Sequence, residues 1–219
     1  GYTLTATEGH QVRVLSENGE YVWRKMDEIF PGDQLAVRVG GHESLLQEVA
    51  YLSLGDVATA THGRAPPIVL PAKLSEDLAE VLGMYMANGY MKKKDGFRIA
   101  VNAEDTDVVQ HLQDILRKLF GIEPNFEKRQ GCVVVGVGSN SLQHWFAANG
   151  WSKMPGNEGQ GAASVFIPAN ILSSRTSVLC AFMRGYFECD GTAGDFSLEV
   201  STVSPRLARE IHVALTALG

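Results

Sequence analysis

The sequence predicts a multidomain chain in which an all-β segment precedes an α+β part made of two repeats, the second incomplete. Three observations predict it. Residues 1–39 alternate apolar and polar side chains between turn dipeptides, which is the period of strands. Two apolar helices of one design recur about a hundred residues apart: LAEVLGMYMANG over Leu78–Gly89 and VLCAFMRGYFECDG over Val178–Gly191. Each is followed by a strand pattern and then by an amphipathic helix pattern.

In the first segment, Tyr2, Leu4 and Ala6 alternate with Thr3, Thr5 and Thr7, and Val12 and Val14 flank Arg13. Asn18-Gly19 predicts a tight hairpin into the strand Tyr21-Val22-Trp23. Met26 to Phe30 suits one helical turn and Pro31-Gly32-Asp33 a reverse turn. Leu35, Val37 and Val39 then begin another strand. Residues 40–72, between Gly40-Gly41 and Pro71, read as a linker.

From Ser75 the period changes to that of helices. Ser75 is the expected N-cap of the first apolar helix, with Asp77 in its first turn. That helix is apolar on almost every side, as a buried helix is. Phe97–Asn102 alternate as a strand after a Lys-rich turn. Asp105–Phe120 put Val108, Val109, Leu112, Ile115, Leu116 and Leu119 on one helical face, and Gly121 ends the pattern. Phe126–Lys128 and Cys132–Val137 read as a strand pair, and Ser141–Ala148 as a short helix. Trp151–Ala163 is a Gly-rich loop. Val165–Ser174 lead into the second apolar helix, followed by a strand over Phe196–Thr202 and a helix over Pro205–Leu218.

The two apolar helices share a further pattern. Ala79, Gly83 and Ala87 in one, and Ala181, Gly185 and Cys189 in the other, are small residues spaced four apart. Each set lies on one face, where a neighbouring backbone can come close. Each helix ends in a polar residue and a glycine, Asn88-Gly89 and Asp190-Gly191. The expected arrangement packs the two helices through their small faces, with Asn88 and Asp190 side by side at the ends.

The 219 residues suffice for a real core, and a formal net charge of −6 argues against coating nucleic acid by bulk charge. The three cysteines, Cys132, Cys180 and Cys189, are odd in number, and Cys132 and Cys180 read as core. Neither a disulfide framework nor a zinc site is expected, which suits a reducing, cytoplasmic setting. No signal-peptide pattern or membrane span is apparent.

RGYFECDG, and in shape LGMYMANG, resemble the LAGLIDADG motif of homing endonucleases. Thr5-Ala6-Thr7-Glu8-Gly9-His10 resembles the Thr-x-x-His block of an intein's splicing (Hint) domain, and Trp23 through Val37 the turn that follows it. Phe166-Ile167-Pro168, then Ile171, then the second motif helix is the order seen in intein endonuclease domains. The motifs cover nearly the whole chain in family order. The resemblance implies a Hint-type β fragment (1–39), a linker (40–72) and two αββαββα-like LAGLIDADG repeats (73–150 and 151–219, the second truncated).

For splicing, the resemblance assigns Thr7 and His10 to the first acyl shift. His10 would donate to the scissile amide and Thr7 would position it. The first-residue Cys or Ser and the C-terminal His-Asn of the family do not stand in these residues, so splicing implies further segments, in cis or in a second chain, between host-protein exteins. For DNA cleavage, the resemblance implies one acid from each motif helix holding divalent metal, Mg2+, beside the scissile phosphates of double-stranded DNA. Asp190 fits that role; Asn88 stands where the family carries its acid, which implies impaired double-strand cleavage. On the strand faces, Arg98 and Asn102, with Lys92, Lys93, Lys94, Lys128 and Arg129, are the expected DNA contacts. The Lys92-Lys93-Lys94 run reads equally as a solvated turn. Ser197, Glu199 and Ser201 make the matching face of the second repeat poor for phosphate. The leading expectation is part of an intein with an impaired endonuclease domain; the alternatives are a non-catalytic DNA-binding module and a structural remnant that helps splicing halves associate.

Overall fold

The computed structural model describes residues 2–42, 51–53, 68–92, 96–153 and 161–219. Near the N-terminus the alternation around Val12 and Val14 gives β1 (Gln11–Leu15), with both valines buried. Asn18-Gly19 turns the chain into antiparallel β2 (Tyr21–Lys25), with Gly19 at φ +79°, where a Cβ would be strained. A 3-10 turn over Met26–Glu28 follows, and β3 (Gln34–Leu35) returns to pair with β1. Asp33 fixes this corner: its carboxylate accepts from the Phe30 amide at 2.8 Å and from Arg24 Nη1 at 3.1 Å.

Two expected strands differ. No strand forms over Tyr2–Thr7. Tyr2 instead stacks on His212 near the C-terminus, with ring centroids 4.3 Å apart, and its hydroxyl bonds Thr216 Oγ1. The strand begun at Leu35 stops there, short of Val37 and Val39. The Gly40 amide donates to the Thr216 carbonyl at 2.8 Å, so this segment also leaves the sheet for the C-terminal helix. The linker expected over 40–72 lies mostly outside the described residues.

Helix α1 (Glu76–Asn88) starts at Ser75, whose hydroxyl accepts from the Leu78 amide at 3.2 Å, and Glu76 and Asp77 favour its positive end. It runs directly into β4 (Gly89–Lys92) and β5 (Gly96–Asn102). Then come α2 (Thr106–Phe120), stopped by Gly121 at φ +67°, β6 (Asn125–Arg129), β7 (Cys132–Val137) and α3 (Asn140–Ala148). The four strands form one antiparallel sheet in the order β4-β5-β7-β6. Phe97, Ile99, Val101, Val133 and Val135 occupy its buried face. Against it packs an aromatic cluster of Tyr85, Phe97, Phe120, Trp145, Phe146 and Trp151, mostly edge to face. Trp151, the first residue of the expected loop, is therefore core, and its indole N–H donates to Asn170 Oδ1 at 3.2 Å. Residues 154–160 of that loop lie outside the described residues.

The second half has α4 (Ala169–Leu172), α5 (Thr176–Asp190), the hairpin β8 (Gly191–Ala193) and β9 (Leu198–Val200), and α6 (Pro205–Leu218). The strand expected over Phe196–Thr202 contracts to β9, which pairs only with β8 among the described residues, and Phe196 is exposed. Two cysteines expected in the core are not there: Cys180 is exposed and Cys132 half-buried. The described residues contain no helix long and apolar enough to cross a membrane.

The principal contact between elements is α1 against α5. Gly83 lies over the Phe182 carbonyl and the Tyr186 amide, and Gly185 over the Glu80 carbonyl. A Cβ at either site would collide with backbone that cannot swing away. Gly185→Ala should therefore destabilise the chain by about 1–3 kcal/mol in urea unfolding despite alanine's better helix propensity. Gly9→Ala, a site with open space around it, should stay within about 0.5 kcal/mol of wild type.

Candidate functional site at the paired helix ends

Helices α1 and α5 end the same way. Asn88 and Asp190 are the last helical residues, and the Gly89 and Gly191 amides donate back to the Tyr85 and Phe187 carbonyls. A Cβ on either glycine would meet the aromatic side chain one turn earlier, so glycine lets each strand leave at once. Asn88 reaches the end of α5. The Asn88 Nδ2 donates to the carbonyl of Cys189, next to Asp190, at 3.3 Å.

Lys153 completes the cluster. Its ammonium donates to three carbonyls in the last turn of α1: Tyr85 at 3.0 Å, Met86 at 2.9 Å and Ala87 at 3.4 Å. Its own amide donates to the Tyr85 hydroxyl at 3.2 Å. Burial pushes the Lys153 pKa down from 10.5 to about 8, against the upward pull of Asp190. Burial raises the Asp190 carboxyl, while the Tyr186 hydroxyl and the Lys153 ammonium hold it down. The Tyr186 phenol is pushed up to about 12 by burial and by Asp190, so it is a neutral donor at pH 7. The Cys189 thiol is raised to about 12 by burial and by Asp190, which makes it a poor nucleophile. A cavity of about 640 Å3 opens beside these groups, lined by Lys153, Tyr186, Asp190, Tyr90, Ser201 and Thr202 among others.

About two turns further back, Glu80 is buried at 4 % exposure. Its carboxylate accepts from His111 Nε2 at 2.8 Å and from Arg184 Nε at 3.2 Å. It thereby ties α1 to α2 and to α5. Glu80 and Lys153 carry no sequence signal for these roles, because their partners lie between 31 and 104 residues away.

The pairing register of the first sheet sorts the expected DNA contacts. Lys92, Arg98, Asn102 and Arg129 share the face away from the aromatic core. Lys128 has the opposite parity and lies over the Phe126 ring at 5.9 Å. Arg98 is only 8 % exposed, because its stem lies across Gly136, which has no side chain to exclude it. Arg129 pairs with Glu127 at 3.0 Å, and Asn102 Oδ1 accepts from the Glu104 amide at 3.3 Å. Lys93 and Lys94 lie outside the described residues. In the second half Ser197, Glu199 and Ser201 are exposed, and Ser197 donates to Glu199 at 3.2 Å. Thr7 and His10 are exposed at the start of the β segment, joined by a turn in which the His10 amide donates to the Thr7 carbonyl at 3.0 Å.

The residues at the helix ends do not fit a pair of divalent ions. They offer one carboxylate, one neutral amide whose Nδ2 is turned to a carbonyl, and an ammonium whose donors occupy three nearby oxygens. Hard cations take oxygen ligands, and two of them held close together need more negative charge than one carboxylate supplies. Among the described residues, no group of three or more His, Cys, Asp or Glu could hold a metal.

A LAGLIDADG-like domain is found at residues 177–219. The chain is 27% identical over its whole length to the Replication factor C small subunit of Thermococcus kodakarensis, covering 21% of that protein. It is 28% identical over 71% of its length to an A-type ATP synthase subunit of Pyrococcus abyssi, covering 15% of it. It is 25% identical over 94% of its length to a DNA polymerase of Thermococcus kodakarensis, covering 11% of it. The chain thus spans about a fifth or less of these relatives.

The charges at the helix ends set a titration. Lys153 binds its proton less tightly folded than unfolded, so the unfolded chain holds more protons between about pH 8 and 10.5. Its contribution to stability therefore rises with pH across that window. NMR of the lysine Nζ groups should find Lys153 titrating near pH 8, and Asp190→Asn should move it lower still. Titration at the ordinary lysine value would contradict the burial described here.

Proposed function

We propose that this chain is a portion of an intein: part of a β-rich splicing domain joined to a LAGLIDADG endonuclease domain impaired in double-strand cleavage. The observation that carries the reading is the set of relatives. One stretch of sequence recurs in a DNA polymerase, a replication factor component and an ATP synthase component, in each as a minor part of the length. Proteins with such different names have no common task for it to perform. An element that inserts into unrelated hosts and removes itself from their products accounts for that distribution. The LAGLIDADG-like domain and the ordered Thr-x-x-His and turn motifs ahead of it support the same reading.

In this proposal the domains are 1–39 (splicing), 40–72 (linker), 73–150 and 151–219 (the two repeats). The order α1-β4-β5-α2-β6-β7-α3, then α5-β8-β9-α6, supports a full αββαββα repeat followed by the first part of another. Thr7 and His10 serve the first acyl shift, and their exposure leaves them open to an upstream junction and to the remaining splicing segments. Flanking exteins are the partners. His10 can supply the proton that lets the scissile amide depart.

For the nuclease, Asn88 leaves one acid, Asp190, where the family places two. Such a pair lacks the charge to bring two cations to a phosphodiester. A second reading, a DNA-binding module without cleavage, is favoured by one feature: Lys92, Asn102 and Arg129 share one sheet face. Binding by that face would fall steeply with salt.

Splicing is tested in the parent reading frame with its flanking sequence. Thr7→Ala and His10→Ala should accumulate unspliced precursor, read by gel and intact mass, while wild type yields ligated product. Wild-type levels of product from both variants would contradict the assignment.

A further inference from the structure

We infer that Lys153 is a built-in counter-ion: its ammonium and the Asn88 amide together satisfy the ends of α1 and α5, so that the paired helix ends are held without a divalent cation. The inference rests on contacts within the chain and is independent of the splicing proposal.

The last turn of α1 carries the negative end of the helix dipole, and of its carbonyls Tyr85 already takes the Gly89 amide. An ammonium has three N–H donors, and Lys153 matches them to the Tyr85, Met86 and Ala87 carbonyls. Its position is not that of a loose surface lysine. Its backbone amide is tied to the Tyr85 hydroxyl, its Nζ lies 5.4 Å from the Tyr85 ring centroid, and Trp151, two residues earlier, is fully buried. The Asp190 charge is within electrostatic reach of the ammonium, and the two attract.

Helix α5 is completed differently. Its Cys189 carbonyl takes the Asn88 amide. A carboxylate at position 88 has no hydrogen to donate and would set two acceptors against each other, with a cation then needed between them. Asn88 and Lys153 thus act together. The amide replaces an acid with a donor, and the ammonium supplies a positive charge bonded to oxygens that a metal ion would otherwise draw on. A divalent ion entering this cluster would meet a fixed positive charge, carbonyls already occupied, and a single carboxylate.

The test uses the intact chain, with terbium luminescence sensitised by the tyrosines near the site and the calcium dependence of Tm as readouts. In wild type, terbium emission should match that of Asp190→Asn, and calcium should leave Tm unchanged. The double variant Lys153→Met/Asn88→Asp should bind terbium about tenfold or more tightly and gain Tm with calcium. Lys153→Arg/Asn88→Asp, which keeps the positive charge, should not. Saturable emission from wild type that Asp190→Asn abolishes would overturn the inference, and so would a folded Lys153→Met/Asn88→Asp with no gain. If that double variant does not fold, wild type against Asp190→Asn still decides. A wild type that binds cation leaves the outcome of the splicing assay untouched, so the two proposals fail separately.

Discussion

The structure depends on the close approach of two helix backbones. Gly83 and Gly185 each sit where the other helix presents main-chain atoms, so neither can carry a side chain. Glycine in a helix interior costs about 1 kcal/mol of propensity relative to alanine, and the fold accepts that cost twice. In return α1 and α5 become a single central unit, and the burial of Leu78, Leu82, Leu179 and Phe182 follows from it. Glu80 reinforces the pair from one side, through Arg184 on α5 and His111 on α2. Because both helices end in a polar residue and a glycine, the close packing also decides which side chains meet at their ends.

What meets there is asymmetric. The carbonyls of α1 are held by a lysine that comes 66 or more positions later in the chain, while Cys189 of α5 is held by the amide of Asn88. Burial then sets the protonation states. It keeps Tyr186 and Cys189 neutral, raises the Asp190 carboxyl and lowers Lys153. The cluster has few anionic oxygens and one internal cation, which makes it self-contained rather than poised to collect ions. Asp190, at the end of α5, lies within the LAGLIDADG-like domain found at residues 177–219.

Elements specified by neighbouring residues were legible in the sequence. Ser75 capping α1, Gly121 ending α2, and Asn18-Gly19 closing the first hairpin are each decided within a few residues. The small stripes were legible because four-residue spacing reports one helical face. Elements decided at long range were not. Tyr2 has the alternation of a strand, yet packs on His212 and Thr216, more than two hundred residues away. Cys180 lies in an apolar run and is exposed: it precedes Ala181 by one position, about 100° around the helix, and that turns it away from α1. Arg98 alternates as a surface residue but is buried across Gly136, a strand neighbour the sequence does not reveal. The pairing of Asn88 with the neighbour of Asp190 could be read from the repeat; the arrival of Lys153 at the last turn of α1 could not.

The central claim is that α1 and α5 touch backbone to backbone at their glycines. The most direct measurement is a NOESY spectrum of the isotope-labelled chain. Strong cross-peaks are predicted from a Gly83 Hα to the Tyr186 amide proton and from a Gly185 Hα to the Hα of Glu80, since the atoms bearing them face each other across the contact. Absence of both, in a folded chain with assigned resonances, would mean that the two helices stand a side chain apart and would contradict the account.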